Sequence, residues 1–329
     1  MKLFITGGAG YVGSHCVRGL CDAGHEVVVL DNLSAGHEGA VDRRARFVRG
    51  DLGNRVLLKA AFGEGGFDAV LHFAASLDVN ESVNHPLKYY RNNVINTIGL
   101  LESMQEAGVR RLVFSSTCAT YGVPRSVPIT EDMPQQPINP YGHTKLAMEW
   151  AMRDCCQAWD LGVCALRYFN ASGAAADGSI GEDHDPEPHL IPLVLQVALG
   201  QREKIHIFGV DYPTRDGSAV RDYIQVEDLA TVHRLAVESQ EPGVFRCYNV
   251  GTGVGNSVKQ VIDAARQVTG HEIPAEPSGR RAGDPAELYA DPAKVMTELG
   301  WEPQYTEIAA IVETAWGWHR AHPDGFGAD

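Results

Sequence analysis

A chain of 329 residues with 44% hydrophobic and 21% charged side chains can bury a large core in two lobes and has the composition of an ordinary water-exposed globule. Its 42 acidic against 28 basic residues give a formal net charge of −14, which sets aside nucleic acid and anionic membrane surfaces as main partners but leaves room for a local arginine cluster around an anionic substrate. Seven scattered cysteines without a C-x-x-C argue against a zinc or disulfide framework, no apolar run is long enough to span a bilayer, and Met1 leads straight into a strand pattern, so a cytoplasmic protein is expected.

The first apolar run, 2–6, reads as a buried strand and is followed by Gly7-Gly8-Ala9-Gly10-Tyr11-Val12-Gly13. Gly8, Gly10 and Gly13 stand at the G-x-G-x-x-G spacing, where missing side chains permit a tight turn and let a pyrophosphate reach a helix N-terminus. A second strand pattern, 26–30, ends at Asp31-Asn32, where a carboxylate suits the hydroxyls of an adenosine ribose. No arginine before Arg43 stands ready for a 2′-phosphate, which favours NAD over NADP.

Strand patterns continue at 46–49, 68–73, 111–116 and 163–168, with helical patterns near 12–23, 54–63, 86–107 and 142–159. This alternation implies an α/β fold built on a doubly wound parallel sheet covered on both faces, whose ligands sit beyond the carboxyl ends of the strands. Those ends carry Gly7–Gly13, Asp31-Asn32, Asp51-Leu52, Phe73-Ala74-Ala75, Ser115-Ser116-Thr117 and Tyr168-Phe169-Asn170. After Asn170 the character changes, so a first domain over 1–169, with a return segment near 217–240, and a smaller mixed α/β substrate domain over 170–329 are expected. Residues 171–189 read as a long functional loop. Its Glu182, Asp183, His184, Asp185, Glu187 and His189 match no metal-ligand template, so a solvated acidic loop and no metal are expected, and the tail from His322 reads as frayed.

Pro140 is suited to opening a helix that puts Tyr141 and Lys145 on one face. An ammonium beside a phenol favours the phenolate, so Tyr141 is a candidate base with a lowered pKa, and Thr117 at the end of the preceding core strand can bond the same oxygen. Cys118, beside Thr117, reads as a small buried residue.

With these residues in place the chain resembles the extended short-chain dehydrogenases/reductases, and within them the family of UDP-glucose 4-epimerases, from Lys2 to about Pro323. Beside the blocks above, the likeness rests on Asn139-Pro140-Tyr141-Gly142 with Lys145, Leu166-Arg167-Tyr168-Phe169-Asn170, His189-Leu190-Ile191-Pro192, Val220-Arg221-Asp222-Tyr223-Ile224 and Arg280-Arg281-Ala282-Gly283-Asp284. It implies a Rossmann-type cofactor domain, a tightly held and recycled NAD, and a homodimer through the helices near 86–107 and 142–159. It further implies reversible epimerisation of UDP-glucose and UDP-galactose at C4 through a 4-keto sugar, in galactose metabolism. Tyr141 would be the base, Lys145 its tuning partner and Thr117 the holder of the reacting oxygen. Cofactor contacts are implied at Gly7, Gly10, Tyr11, Val12, Gly13, Asp31, Asn32, Asp51, Leu52, Phe73, Ala74, Ala75, Asn93, Ser115, Tyr141, Lys145 and Tyr168. The UDP-hexose would touch Thr117, Tyr141, Asn170, Leu190, Phe208, Arg221, Tyr223, Arg281, Asp284 and Leu288.

Leu77 departs from the pattern, standing where many members carry a cofactor-touching lysine, and Thr117 replaces a frequent serine but keeps the hydroxyl. Leu288 is intermediate between the tyrosine that goes with plain hexoses and the small residue that admits an N-acetyl group. Three alternatives stand beside this reading: an epimerase for a pentose or uronic-acid sugar nucleotide, a nucleotide-sugar 4,6-dehydratase, and a non-catalytic NAD-sensing regulator. Cys118-Ala119 after Thr117, in place of Asp-Glu, argue against the dehydratase; retention of Tyr141 and Lys145 argues against the sensor.

Overall fold

The structure is a computed structural model that describes residues 1–281 and 284–327; Ala282 and Gly283 of the arginine-bearing motif lie outside the described residues. In the first half the chain runs β1 (Lys2–Thr6), α1 (Tyr11–Asp22), β2 (Glu26–Asp31), β3 (Arg46–Arg49), α2 (Arg55–Gly63), β4 (Ala69–His72), α3 (Val79–Asn84), α4 (Pro86–Tyr89), α5 (Asn96–Ala107), β5 (Arg111–Thr117), α6 (Pro140–Trp159) and β6 (Gly162–Tyr168). It goes on through β7 (Asn170–Ser172), α7 (Leu190–Ala198), β8 (Ile205–Phe208), β9 (Val220–Gln225), α8 (Val226–Glu238), β10 (Phe245–Val250), β11 (Gly255–Ser257), α9 (Val258–Thr269), β12 (Ala275–Ser278), β13 (Glu287–Leu288), α10 (Ala293–Leu299) and α11 (Ile308–Ala321).

The apolar strands form one parallel sheet in the order β10-β6-β5-β4-β1-β2-β3, with Leu3 opposite both Val27 and Ala69. Strands such as 69–72 are buried along their whole length because helices cover both faces. Leu3, Ile5, Val29 and Leu71 point into a core shared with Val17 and Leu20 of α1 and Leu229 and Val232 of α8. Phe4, Val28, Val70 and Phe114 point the other way, into Leu58 of α2, Leu100 and Met104 of α5, and Met148 and Met152 of α6. Strand order reverses between β1 and β4, so the crevice for a dinucleotide opens between the loops that follow these two strands.

The expected helix over 86–107 is one helical run whose middle, Tyr90–Ile95, is π-helical and carries Asn93. The return segment differs from 217–240. Residues 220–225 pair with β11, β13 and β7 in a second sheet, whereas α8 and the seventh strand β10 rejoin the first lobe, with Val295 and Trp301 packing into the same core. The second lobe has its own apolar core, in which Val194 and Leu195 of α7 meet Val261 and Ile262 of α9 and Ile311 and Val312 of α11. The described tail, through Gly327, is docked and not frayed: Phe326 stacks on His37 at 5.0 Å and packs tilted against Trp318 at 4.8 Å, and its amide donates to Asp183 Oδ2 at 2.9 Å. Among the described residues no helix is long and apolar enough to cross a membrane.

Candidate active site

The glycine turn after β1 has two kinds of glycine. Gly7 sits at φ 75°, where a Cβ would lie 2.5 Å from Ala74 N, and a Cβ on Gly13 would lie 2.1 Å from Gly7 O. Those two glycines close the turn. A Cβ on Gly10 would meet nothing nearer than Gly7 O at 3.5 Å, so that position is open towards a ligand. α1 has no side-chain cap and no acidic residue in its first turn, and among the described residues no backbone carbonyl accepts from the amides of Tyr11, Val12 and Gly13. Free N–H groups at the head of a 12-residue helix, beside an open glycine, fit a dinucleotide pyrophosphate.

The rest of the cofactor wall lies on the same rim. Asp31 accepts from Ala9 N at 3.0 Å and Leu33 N at 2.9 Å, while Asn32 donates to Asp51 Oδ2 at 2.7 Å. These bonds join the ends of β2 and β3 where an adenosine would sit, with Leu52 buried beside them. Phe73 and Ala74 both donate from their amides to Thr6 O, and the Phe73 ring packs 4.8 Å from His233 of α8. Ala75 continues this loop, and Leu77 beyond it is 40% exposed. Asn93, on the π-helical turn, faces the same loop. Its side chain donates to Ser76 O and Thr144 Oγ1 and accepts from Ser76 N and Asn92, which fills all four hydrogen-bonding positions of an amide. These bonds tie the loop after β4 to the helical run and to α6, and so hold the wall in place.

The chemistry-bearing groups stand at the ends of β5 and β6 against α6. Asn139 caps this helix by accepting from Gly142 N at 2.8 Å, and Pro140 opens it, which aims Tyr141 and Lys145 at the sheet. Lys145 is buried and donates to Ser115 O at 2.7 Å, with its Nζ 5.0 Å from the Phe114 ring centroid and 5.9 Å from that of Tyr141. The Ser115 hydroxyl is bonded to the Tyr168 hydroxyl, so both side chains brace the rim. Burial pushes the Tyr141 phenol up to about 12, against a downward pull from the Thr117 hydroxyl. Burial holds the Lys145 ammonium down to about 7, while Glu149 raises it. The expected lowering of Tyr141 by Lys145 is therefore absent: burial dominates, the downward pull comes from Thr117, and the Lys145 ammonium is committed to Ser115 O. Burial also pushes the Cys118 thiol up to about 12, as befits an unreactive residue.

Sequence reasoning missed Glu149. It lies four residues after Lys145 with its side chain 1% exposed, accepts from Ser116 Oγ at 2.5 Å, and is gripped by Arg167 at 2.9 and 2.5 Å. Arg167 also donates to Tyr121 Oη at 2.7 Å, which donates to Asn249 Oδ1 at 2.7 Å. The i,i+4 spacing from Lys145 was the available signal.

The second lobe supplies cations facing an open cleft of about 500 Å³ bounded by Tyr212, Arg280, Arg281 and Asp284. Arg221 on β9 pairs with Asp284, and Arg281 lies over the Phe208 ring at 4.1 Å. Asn170 and Tyr223 are register partners in β7 and β9, and Leu190 begins α7. Leu288, the register partner of Arg221, packs against the cluster of Tyr121, Ile129, Phe169 and Ala290 that Cys118 also joins, so it stands between the nucleotide end and the Thr117 end. The loop from 182 to 189 is a correction. Glu182 is buried, His184 and Glu187 are half-buried with side chains only 10% and 5% exposed, and their ligand atoms and that of His189 all lie within 4.8 Å of one another, so the loop is not solvated there.

Against this geometry the comparisons agree. A model of the NAD dependent epimerase/dehydratase family matches residues 3–251. The UDP-glucose 4-epimerase of Halalkalibacterium halodurans is 53% identical over 330 aligned residues, covering 100% of this chain and 98% of the relative. A crystal structure of a UDP-glucose 4-epimerase superposes with a TM-score of 0.96 at 50% identity, covering 100% of both chains. That of the Bifidobacterium longum enzyme in complex with NAD+ and UDP does so with a TM-score of 0.95 at 37% identity over 99% of this chain and 100% of that one. The chain belongs to the NAD dependent epimerase/dehydratase family, among the UDP-glucose 4-epimerases.

Proposed function

We propose that this protein is an NAD-dependent isomerase that interconverts UDP-glucose and UDP-galactose by inverting C4. The observation that carries the reading is the convergence of Tyr141, Thr117 and Lys145 at the ends of β5 and α6, next to the glycine turn that fits a pyrophosphate. NAD, when bound, supplies a reversible acceptor for the hydrogen that C4 loses with its electron pair. Gly10 and the amides of Tyr11, Val12 and Gly13 would hold its diphosphate, Asp31, Asn32, Asp51 and Leu52 its adenosine end, and Phe73 to Ala75 its wall. Tyr141 takes the proton from the sugar 4-hydroxyl and later returns it. Thr117 holds the reacting oxygen beside Tyr141, and Lys145, anchored on Ser115 O, keeps a cation within reach of the phenol.

One base serves both directions because the C4 oxygen stays with Tyr141 and Thr117 while the 4-keto ring turns to present its other face. That requires firm hold on the nucleotide and a loose hold on the sugar. Arg221 and Arg281, with Asn170, Leu190, Phe208, Tyr223 and Asp284, are suited to the first, since guanidinium forks pair two phosphate oxygens. The half-buried Leu288 leaves moderate room at the sugar, which is compatible with N-acetylhexosamines as additional substrates. A cytoplasmic homodimer fits an exposed apolar surface along the helices from 86 to 159, where Leu87 is 70%, Ile95 61% and Trp150 60% exposed.

Incubation with UDP-galactose and no added NAD tests the reading. UDP-glucose is the expected product, the denatured protein should release NAD, and Tyr141→Phe should retain NAD while losing most turnover. Loss of water from the sugar nucleotide would indicate a dehydratase, turnover confined to UDP-pentoses or UDP-uronic acids would narrow the substrate, and no turnover at all would leave a cofactor sensor.

A further inference from the structure

Outside the site described, the loop between β7 and α7 brings together four metal-binding side chains from a single eight-residue stretch, Glu182-Asp183-His184-Asp185-Pro186-Glu187-Pro188-His189. His184 Nδ1 lies 3.4 Å from Glu182 Oε1 and 3.6 Å from Glu187 Oε2. His189 Nδ1 lies 3.1 Å from Glu187 Oε1 and 2.6 Å from Glu182 Oε1. Four donors about 2.0–2.2 Å from a tetrahedral ion stand about 3.3–3.6 Å apart; the two imidazoles face different oxygens of Glu187, and three of these four separations fall within about 0.2 Å of that range. The fourth needs to open by about 0.7 Å.

A second observation points into the same space. The Glu182 side chain is only 3% exposed, yet Glu182 Oε1 and His184 Nδ1, both buried, make no well-formed hydrogen bond. The atoms are close enough to attract and out of line for a proton between them, a poor arrangement for two ion pairs and a good one for lone pairs aimed at a common centre. Solvent is kept away by the C-terminal segment: Trp318 Nε1 donates to Glu182 O at 3.3 Å, and Phe326 N bonds Asp183.

We propose that Glu182, His184, Glu187 and His189 form a structural site for one divalent transition-metal ion of the zinc class. Two imidazoles and two carboxylates suit such an ion, and imidazole nitrogens disfavour calcium and magnesium. The ion takes the place of two imidazole protons, so the charge inside the loop is the same with the metal as with two imidazolium ions, and no redox step is involved. Its place in the fold gives it a task. Tyr11, next to the open Gly10, donates to Gly173 O at 2.7 Å and meets the His184 ring edge-on at 6.4 Å, while His189 is the residue from which α7 and Leu190 start. Closing the loop on one ion ties the pyrophosphate turn to the nucleotide-sugar side of the cleft.

The test uses the full-length protein with its bound cofactor, exchanged into metal-free buffer after chelator treatment and titrated with cobalt(II) chloride, then zinc chloride. One cobalt per chain is expected, with the strong visible absorption of a four-coordinate site, no near-ultraviolet thiolate-to-cobalt band, and displacement by one equivalent of zinc. Glu182→Gln and His189→Gln should each weaken cobalt binding at least tenfold, with far-ultraviolet dichroism unchanged. Should one of them misfold, His184→Asn and the wild-type spectrum decide. A wild-type protein that takes up no cobalt, that shows a thiolate band, or that gives a weak six-coordinate spectrum overturns the proposal. So does equal binding by wild type and the variants.

Discussion

Glu149→Gln isolates the buried charge between α6 and the sheet. In the native protein the Glu149 and Arg167 side chains are 1% and 2% exposed and share two hydrogen bonds, with Ser116 giving Glu149 a third. Replacing the carboxylate by an amide leaves the Arg167 guanidinium buried without a counter-charge, which costs about 3–5 kcal/mol. Scaled at about 2.1 cal/mol/K per residue over 329 residues, that is a fall in Tm of about 4–7 °C, read by scanning calorimetry. The double variant Glu149→Gln/Arg167→Met removes the orphan charge and should recover a substantial part of that loss. Glu149 also raises Lys145, so in Glu149→Gln the lysine should lose its proton at a lower pH, and the alkaline fall in turnover should move to lower pH. A loss below about 1 kcal/mol, no recovery in the double variant, or an unmoved alkaline limb would refute the assignment of Glu149 as the counter-ion of both cations.

Gly13→Ala places a Cβ 2.1 Å from Gly7 O, backbone against backbone, so the purified variant should lack the NAD absorbance that wild type shows after denaturation; full retention would remove the cradle argument. Leu288→Tyr should spare UDP-galactose turnover and lower any activity on UDP-N-acetylhexosamines about 10–100-fold, and equal effects on both sugars would rule out a gate at this position. For Lys145 the sign follows from burial, which holds it at about 7 against an ordinary 10.5, so between these values the unfolded chain binds more protons and stability rises with pH. In cofactor-stripped protein the stability of wild type relative to Lys145→Met should therefore rise from about pH 7 upward, approaching ~1.4 kcal/mol per pH unit in urea melts, and a flat difference would contradict it.

The rim of the parallel sheet was legible because each strand is a short apolar run and each run ends in residues unlike a core: glycines, Asp31, Asp51, Thr117. Periodicity could not show what long-range packing does to polar residues. Glu149 and Arg167 read as ordinary charges until β5 and β6 bring Ser116 and Arg167 side by side beneath α6. The stretch 182–189 reads as solvated from its acid and proline content, yet Trp318 and the tail, more than a hundred residues on, cover it. Likewise 220–225 falls inside the expected return segment near 217–240, and only its pairing with β11 and β13 assigns it to the second sheet.

Tyr141, Lys145 and Thr117 come together through one registration between α6 and the β5–β6 pair. Tyr141, Lys145 and Glu149 stand four apart on a single stripe of the helix, and each meets its own partner in the strands: Thr117 for the phenol, Ser115 O for the ammonium, Ser116 and Arg167 for the carboxylate. Ser116 and Arg167 are themselves directly opposite in the β5–β6 ladder, so the sheet pins the lower end of the stripe. The upper end is pinned by Asn139 and Pro140, which fix where the helix begins. A slip of one residue would rotate the stripe by about 100° and break all three contacts together. Tyr141 is therefore positioned by a buried ion pair two turns away from it as much as by its own neighbours.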